Sequence, residues 1–120
     1  MNVLPFDGLL ALDAIELSAF TASPLHSKVV IKWSTESEID NAGFNLFRAE
    51  TEDGEYLQIN DTLLSAAGST TEGASYTFAD EGLKNRKTYW YKLEDIDLNG
   101  VETMHGPVSA NPKLMYRIGK

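Results

Sequence analysis

The chain contains no cysteine. Disulfides, thiolate chemistry, c-type haem attachment and the usual structural zinc sites are thereby excluded, so any fold must be held by its core. At 120 residues the chain is long enough to bury such a core once and leaves little for a second domain. The missing cysteine does not fix a compartment, because exported domains also do without it. Basic residues are few, ten Lys and Arg against 18 Asp and Glu, for a formal net charge of −8. Phosphate backbones and anionic lipid surfaces both demand clustered cations, and this balance argues against either as a partner. The excess acidity serves solubility. No long apolar run is present. The stretch Met1 to Leu12 comes nearest, with Leu4, Phe6, Leu9, Leu10 and Leu12, but Asp7 and Asp13 interrupt it. It is too short to span a bilayer and lacks the basic start of a signal peptide. The expectation is that a leader has been removed or that the chain is a piece of something larger.

What is present is a series of short alternating runs rich in β-branched and aromatic residues, separated by turn signals. That pattern predicts an all-β sandwich or barrel. A helical period is arguable only at residues 5–14. The first strand is expected at Ile15–Ala22, with Leu17, Phe20 and Ala22 inward. A break in alternation between Leu17 and Phe20 points to a bulge, and Pro24 to the strand's end. The second, Lys28–Ser34, sets Val29, Ile31 and Trp33 on one face. Thr35–Ala42 reads as polar and turn-forming. The third strand, Phe44–Glu50, puts Phe44 and Leu46 inward and Asn45 and Phe47 outward. Asp53-Gly54 is a hairpin signal leading to a short strand at Tyr56–Ile59. Residues 60–74, rich in Ser, Thr, Gly and Ala, read as a loop. Tyr76–Asp80 follows, then Tyr89–Asp97, where Tyr89, Tyr91 and Leu93 alternate against Trp90, Lys92 and Glu94. Asn99-Gly100 turns the chain into Val101–Ala110, kinked at Gly106-Pro107. Seven strands are expected in all.

With Trp33 on the second strand and Leu83 six residues before Tyr89, the pattern resembles a fibronectin type III domain. In that family the Tyr hydroxyl bonds back to the loop backbone, the tyrosine corner. Trp33, Thr35, Ser37-Glu38, Asn41, Gly43-Phe44 and Arg48, with Tyr89, Tyr91-Lys92-Leu93-Glu94 and Gly106-Pro107-Val108, are similar to a subgroup from bacterial exported proteins. The resemblance covers residues 15–111, leaving 1–14 as an N-terminal extension or linker and 112–120 as a C-terminal tail. It implies a seven-stranded immunoglobulin-like sandwich, an extracellular or cell-surface setting, and no catalytic residues.

Several groups of residues are chemically suggestive on their own. Asp95-Ile96-Asp97-Leu98-Asn99-Gly100 matches the opening of a calcium loop, with Asp95, Asp97 and Asn99 as candidate ligands. The position that should hold the bidentate Glu is Gly106, and a hairpin turn accounts for the same residues. Glu36 and Glu38 are spaced for acid and base work; a turn uses such residues to bond its own backbone, and Glu38 is placed to pair with Arg48. His26 and His105 share no partner spacing and read as loop histidines. Asn60-Asp61-Thr62 is a formal glycosylation sequon. Alternation also turns Phe47 and Trp90 outward on neighbouring strands, with Tyr56 extending the set. An outward aromatic face is usually an interface. Either the chain covers it with Met1–Leu12 or Leu114–Tyr116, or a neighbour or a sugar stacks on it.

The expectation is a non-enzymatic module that spaces, docks or adheres within a larger assembly. Its partner is a protein or neighbouring domain, another copy included, with Leu4, Phe6, Leu9, Leu10 and Leu12 as the interaction segment. The alternative is a carbohydrate-binding module using Phe47, Tyr56 and Trp90. No cofactor is expected beyond the incomplete calcium motif, and neither nucleic acid binding nor membrane insertion.

Overall fold

The computed structural model describes residues 14–114 and contains eight strands: β1 Ile15–Leu25, β2 Lys28–Glu38, β3 Asn41–Ala49, β4 Leu57–Gln58, β5 Leu64–Ser65, β6 Ser75–Glu81, β7 Tyr89–Asp97 and β8 Glu102–Ala110. One antiparallel sheet has the order β1-β2-β6; the other runs β4-β3-β7-β8, with β5 also on β3. Alternate side chains from each sheet meet in the middle, as period-two strands with one wet face require. Val29, Ile31 and Trp33 come from one side, and Phe44, Leu46, Tyr91 and Leu93 from the other, all buried. Trp33 stacks on Tyr76 at 5.2 Å between centroids, and Phe44 meets both rings edge-on at 5.5 and 4.8 Å. Such pairs add directional preference to plain area burial.

The expected tyrosine corner is present. The Lys84 backbone N–H donates to the Tyr89 hydroxyl at 3.0 Å, with Leu83 and Tyr89 both buried. The bulge in β1 is present too, as register shifts on either side of Leu17.

Other expectations need correction. Pro24 does not end β1, but pairs opposite Val29. β1 is an edge strand, the place in a sheet where proline is tolerated. The polar stretch 35–42 is mostly strand, and the turn shrinks to Ile39-Asp40. Thr35 and Glu38, within the stretch expected to form a turn, are buried and bonded to each other.

The strand count is eight instead of seven, because β5 lies inside the stretch expected to be a loop. Leu64 pairs with Phe44 and Ser65 with Gly43. A two-residue pairing carries no periodic signal. It explains Gly43, where a Cβ would stand 2.5 Å from the Leu64 carbonyl oxygen.

Asn60 bridges the gap between β4 and β5 on that edge. Its Oδ1 accepts the Leu46 N–H at 2.8 Å, while the Ile59 N–H donates to the Leu46 carbonyl. Its Nδ2 donates to Asn45 Oδ1 and to the Thr62 carbonyl. The sequon is therefore closed in the folded protein, since Nδ2 is the atom a glycan would modify and the residue is only 5% exposed. Folded protein offered to a glycosylating extract should carry no sugar at Asn60 by peptide mass spectrometry; modification of the native form would show that this edge opens.

Candidate functional site

Three regions of the sandwich bear on function: the outer face of the larger sheet and its two ends.

On the outer face, β3 sets Asn45 and Phe47 beside Lys92 and Glu94 of β7. Phe47 lies opposite Lys92 on one side and Gln58 on the other; Trp90 lies opposite Ala49 and Ser109. Phe47 and Trp90 are thus diagonal neighbours, at the roughly 7–8 Å spacing that large side chains can bridge. Phe47, Tyr56 and Trp90 are all half-buried and stand outside the core cluster. The structure adds Lys92 to this group, its ammonium 4.4 Å from the Tyr56 ring centroid, a cation–π contact. Tyr56 also donates its hydroxyl to the Glu52 carbonyl at 2.7 Å. Lys92 was legible in principle, two residues from Trp90 on the same face.

Toward the other half of this face the surface becomes polar. Asn45 Nδ2 donates to Glu94 Oε1, and Gln58 and Asn60 both donate to Asn45 Oδ1. Burial raises the Glu94 carboxyl above its ordinary range; the Asn45 hydrogen bond opposes this, and nearby Glu102 and Asp95 add to it. A raised carboxyl contributes stability at acid pH that is lost as pH rises through its folded value. Glu94→Gln should therefore stabilise the domain at pH 7 by about 0.5–1 kcal/mol, a gain that fades toward pH 4. Urea melts at both values check this, and a uniform loss at neutral pH would contradict it.

The first end carries the β2–β3 and β7–β8 turns. Asp97 Oδ1 accepts the N–H groups of Asn99 and Val101, and the Leu98 N–H donates to the Asp40 carbonyl. Asp95 turns inward, 1% exposed, with its Oδ2 at 2.6 Å from His105 Nε2. The carboxylates of Asp95 and Asp97 are thus engaged within the fold. Among the described residues no group of three His, Cys, Asp or Glu is arranged for a metal ion. His105 is a strand residue of β8 paired with that carboxylate, not a loop histidine; His26 does sit in a turn, its Nδ1 at 3.0 Å from Asn85 Nδ2.

Glu38 does not pair with Arg48. It accepts from Thr35 Oγ1 (2.7 Å), Asn41 Nδ2 (3.1 Å), the Tyr76 hydroxyl (2.6 Å) and the Gly68 N–H (3.2 Å). Burial opposes its ionisation, but these donors outweigh burial and hold the carboxyl below its usual value. Burial and the bond to Glu38 push the Tyr76 hydroxyl up to about 12, so it remains a donor. With both oxygens occupied and Glu36 exposed on the surface, the two carboxylates do not form an acid–base pair. Arg48 instead donates to both oxygens of Asp80 on the opposite sheet, at 2.8 and 3.0 Å, and the Tyr91 hydroxyl joins at 2.7 Å.

At the second end the chain leaves the sandwich. The Lys113 N–H donates to the Leu25 carbonyl and the Arg86 N–H to the Pro112 carbonyl. Between these strands opens a concavity of about 550 Å³ lined by His26, Asn85, Arg86, Asn111, Lys113 and Leu114. Three separate segments build it, and no spacing in the sequence announces it.

The interaction segment Leu4, Phe6, Leu9, Leu10 and Leu12, and Met115 and Tyr116 of the C-terminal tail, lie outside the described residues. Among the described residues no helix is long and apolar enough to cross a membrane.

No protein-family model matches this chain, and no curated protein matches its sequence. Solved structures do match its fold. A Fn3-like protein from Clostridium thermocellum is 20% identical with a TM-score of 0.54, covering 87% of this chain and all of that one. A beta-1,2-glucanase from Parabacteroides distasonis is 17% identical with a TM-score of 0.54 over 87% of this chain, which spans only 14% of the glucanase. Astrotactin-2, described as a vertebrate-specific, perforin-like membrane protein, is 17% identical with a TM-score of 0.61 over 85% of this chain, which spans 22% of it. The fold is thus an all-β sandwich of the fibronectin type III-like kind.

Proposed function

We propose that this sandwich is a non-catalytic module that spaces, docks or adheres within a larger exported or cell-surface assembly. The observation carrying this reading is that the described chain enters at one end and leaves at the other. The Ala14 carbonyl accepts the Ile39 N–H beside the β2–β3 turn, whereas Lys113 is bonded beside the β1–β2 turn. Strands of nine to eleven residues separate these ends, roughly 30 Å at about 3.3 Å per residue. A domain strung in this way transmits separation between neighbours. The glucanase and Astrotactin-2 matches, where a fold of this kind is a small part of a long chain, support the same reading.

The test fuses a folded reporter domain to each terminus of the full chain and measures their spacing by small-angle scattering. A defined long spacing is expected. A spacing as broad as that of a Gly/Ser linker of equal contour length sinks the reading. The apolar stretch before Asp13 supplies a contact to a neighbour in this scheme, another copy included.

A second reading, stacking of a glycan on Phe47, Tyr56 and Trp90, is favoured by their partial exposure outside the core. Against it, Lys92 already occupies the Tyr56 ring. Titrating Trp fluorescence with a glycan panel discriminates: a response that survives Trp90→Ala is not from this face.

A further inference from the structure

The two ends of the sandwich differ in shape, and the hollow at one differs in charge from the tip at the other. Ile39, Leu98 and Val101 stand out from the turns of the first end, 52%, 68% and 58% exposed. The Leu98–Asp40 and Asp97–Val101 backbone bonds gather them into one tip. Around that tip lie the carboxylates of Glu16, Glu36, Asp40 and Glu102, all exposed. Every Lys and Arg among the described residues lies mid-strand or at the opposite end. That opposite end is concave where the first is convex. Its hollow is walled by His26, Arg86 and Lys113, with the apolar Leu114 on its rim, and holds no carboxylate.

We infer that the module associates head to tail with a second copy of this chain, the Leu98 tip of one seating in the basic hollow of the next. A convex apolar tip in an acidic ring and a concave basic seat with an apolar lip are complementary in shape, polarity and charge. The interaction is heterologous, with different surfaces on each partner, so it propagates into a linear string instead of closing as a two-fold dimer. It goes beyond the spacer reading, which requires only that the chain enter and leave at opposite ends. It also differs from contact through the N-terminal stretch, because neither surface uses residues 1–13.

The test is sedimentation velocity on the full chain across a concentration series, in low salt and again at half-molar salt. Association that grows with concentration and weakens with salt is expected, since the rim charges are exposed and screened. Leu98→Asp abolishes the tip and Lys113→Glu the seat. The Leu98 side chain is solvent-exposed and Lys113 bonds the fold through its backbone, so both variants should keep the wild-type melting curve. Each should weaken self-association by about tenfold or more, the effect of losing a central anchor. Mixed together, the two variants should form a one-to-one dimer and nothing longer, because one still carries a working seat and the other a working tip. Three results overturn the proposal: a full chain monomeric at every concentration, variants that associate as wild type does, or a mixture of folded variants that stays monomeric. The last is what a two-fold interface, or ends covered by the chain's own termini, would give.

Discussion

Glu38→Ala should lower the unfolding free energy by about 3–5 kcal/mol in urea titration at pH 7, among the larger losses available to any substitution in this domain. Four donors converge on one buried carboxylate, and removing it strands Thr35 Oγ1, Asn41 Nδ2, the Tyr76 hydroxyl and the Gly68 N–H together. Unmet buried polar groups each retain their desolvation cost. The effect should spread beyond the site. Glu38 ties the end of β2 to the irregular stretch before β6, where the Ala67 N–H bonds the Tyr76 hydroxyl and the Ala74 N–H bonds Thr35 Oγ1. Hydrogen exchange in residues 66–74 should therefore accelerate more than elsewhere. Glu38→Gln preserves the shape and separates charge from packing. Because the folded carboxyl is held below the ordinary value for a glutamate, its contribution is fully present above that ordinary value and is lost as pH falls through the lower folded one. The acid limb of the wild-type stability curve should flatten in Glu38→Gln. An unchanged limb would show that the carboxylate is not held down.

Phe44→Ala should cost about 3–5 kcal/mol, and Phe47→Ala on the same strand less than about 1 kcal/mol. Phe44 has no exposed surface and fills the angle between Trp33 and Tyr76, so truncation leaves a cavity that the two remaining rings cannot close. Phe47 faces out beside Lys92 and Gln58, and its removal opens no interior space. The comparison also serves the functional question, because Phe47→Ala can be assayed for binding with little loss of stability. Comparable losses from the two would mean that the outer face is packed as tightly as the inner one.

The motif that suggested a fibronectin type III-like domain makes physical sense in the structure. Trp33 is the core ring between the sheets; Thr35, Glu38 and Asn41 are three members of one buried network; Gly43 admits β5; Arg48 clasps Asp80 across the sandwich. Each of these residues solves a separate packing or bonding problem along the same two strands. The sequence showed them as a set of spacings without showing what any of them bonds to. Arg48 illustrates the gap. Glu38 was the nearer acid in sequence, ten positions away, yet Asp80 lies directly across the core and Glu38 at the far end of the molecule.

The corner at Leu83 and Tyr89 was implied by the resemblance to fibronectin type III domains. By itself, the sequence determined what repeats with a period of two: that the chain is all-β, and which residues of β2, β3 and β7 face inward. Such features are local, because alternation along a strand needs no knowledge of the rest of the chain. Only the tertiary structure decided the eighth strand, the partners of Glu38, Arg48, Asp95 and His105, and the gathering of apolar tip and basic hollow at opposite ends. Those depend on which strands become neighbours and in what register. That choice is made by closing the whole core at once, and no stretch of sequence carries it alone.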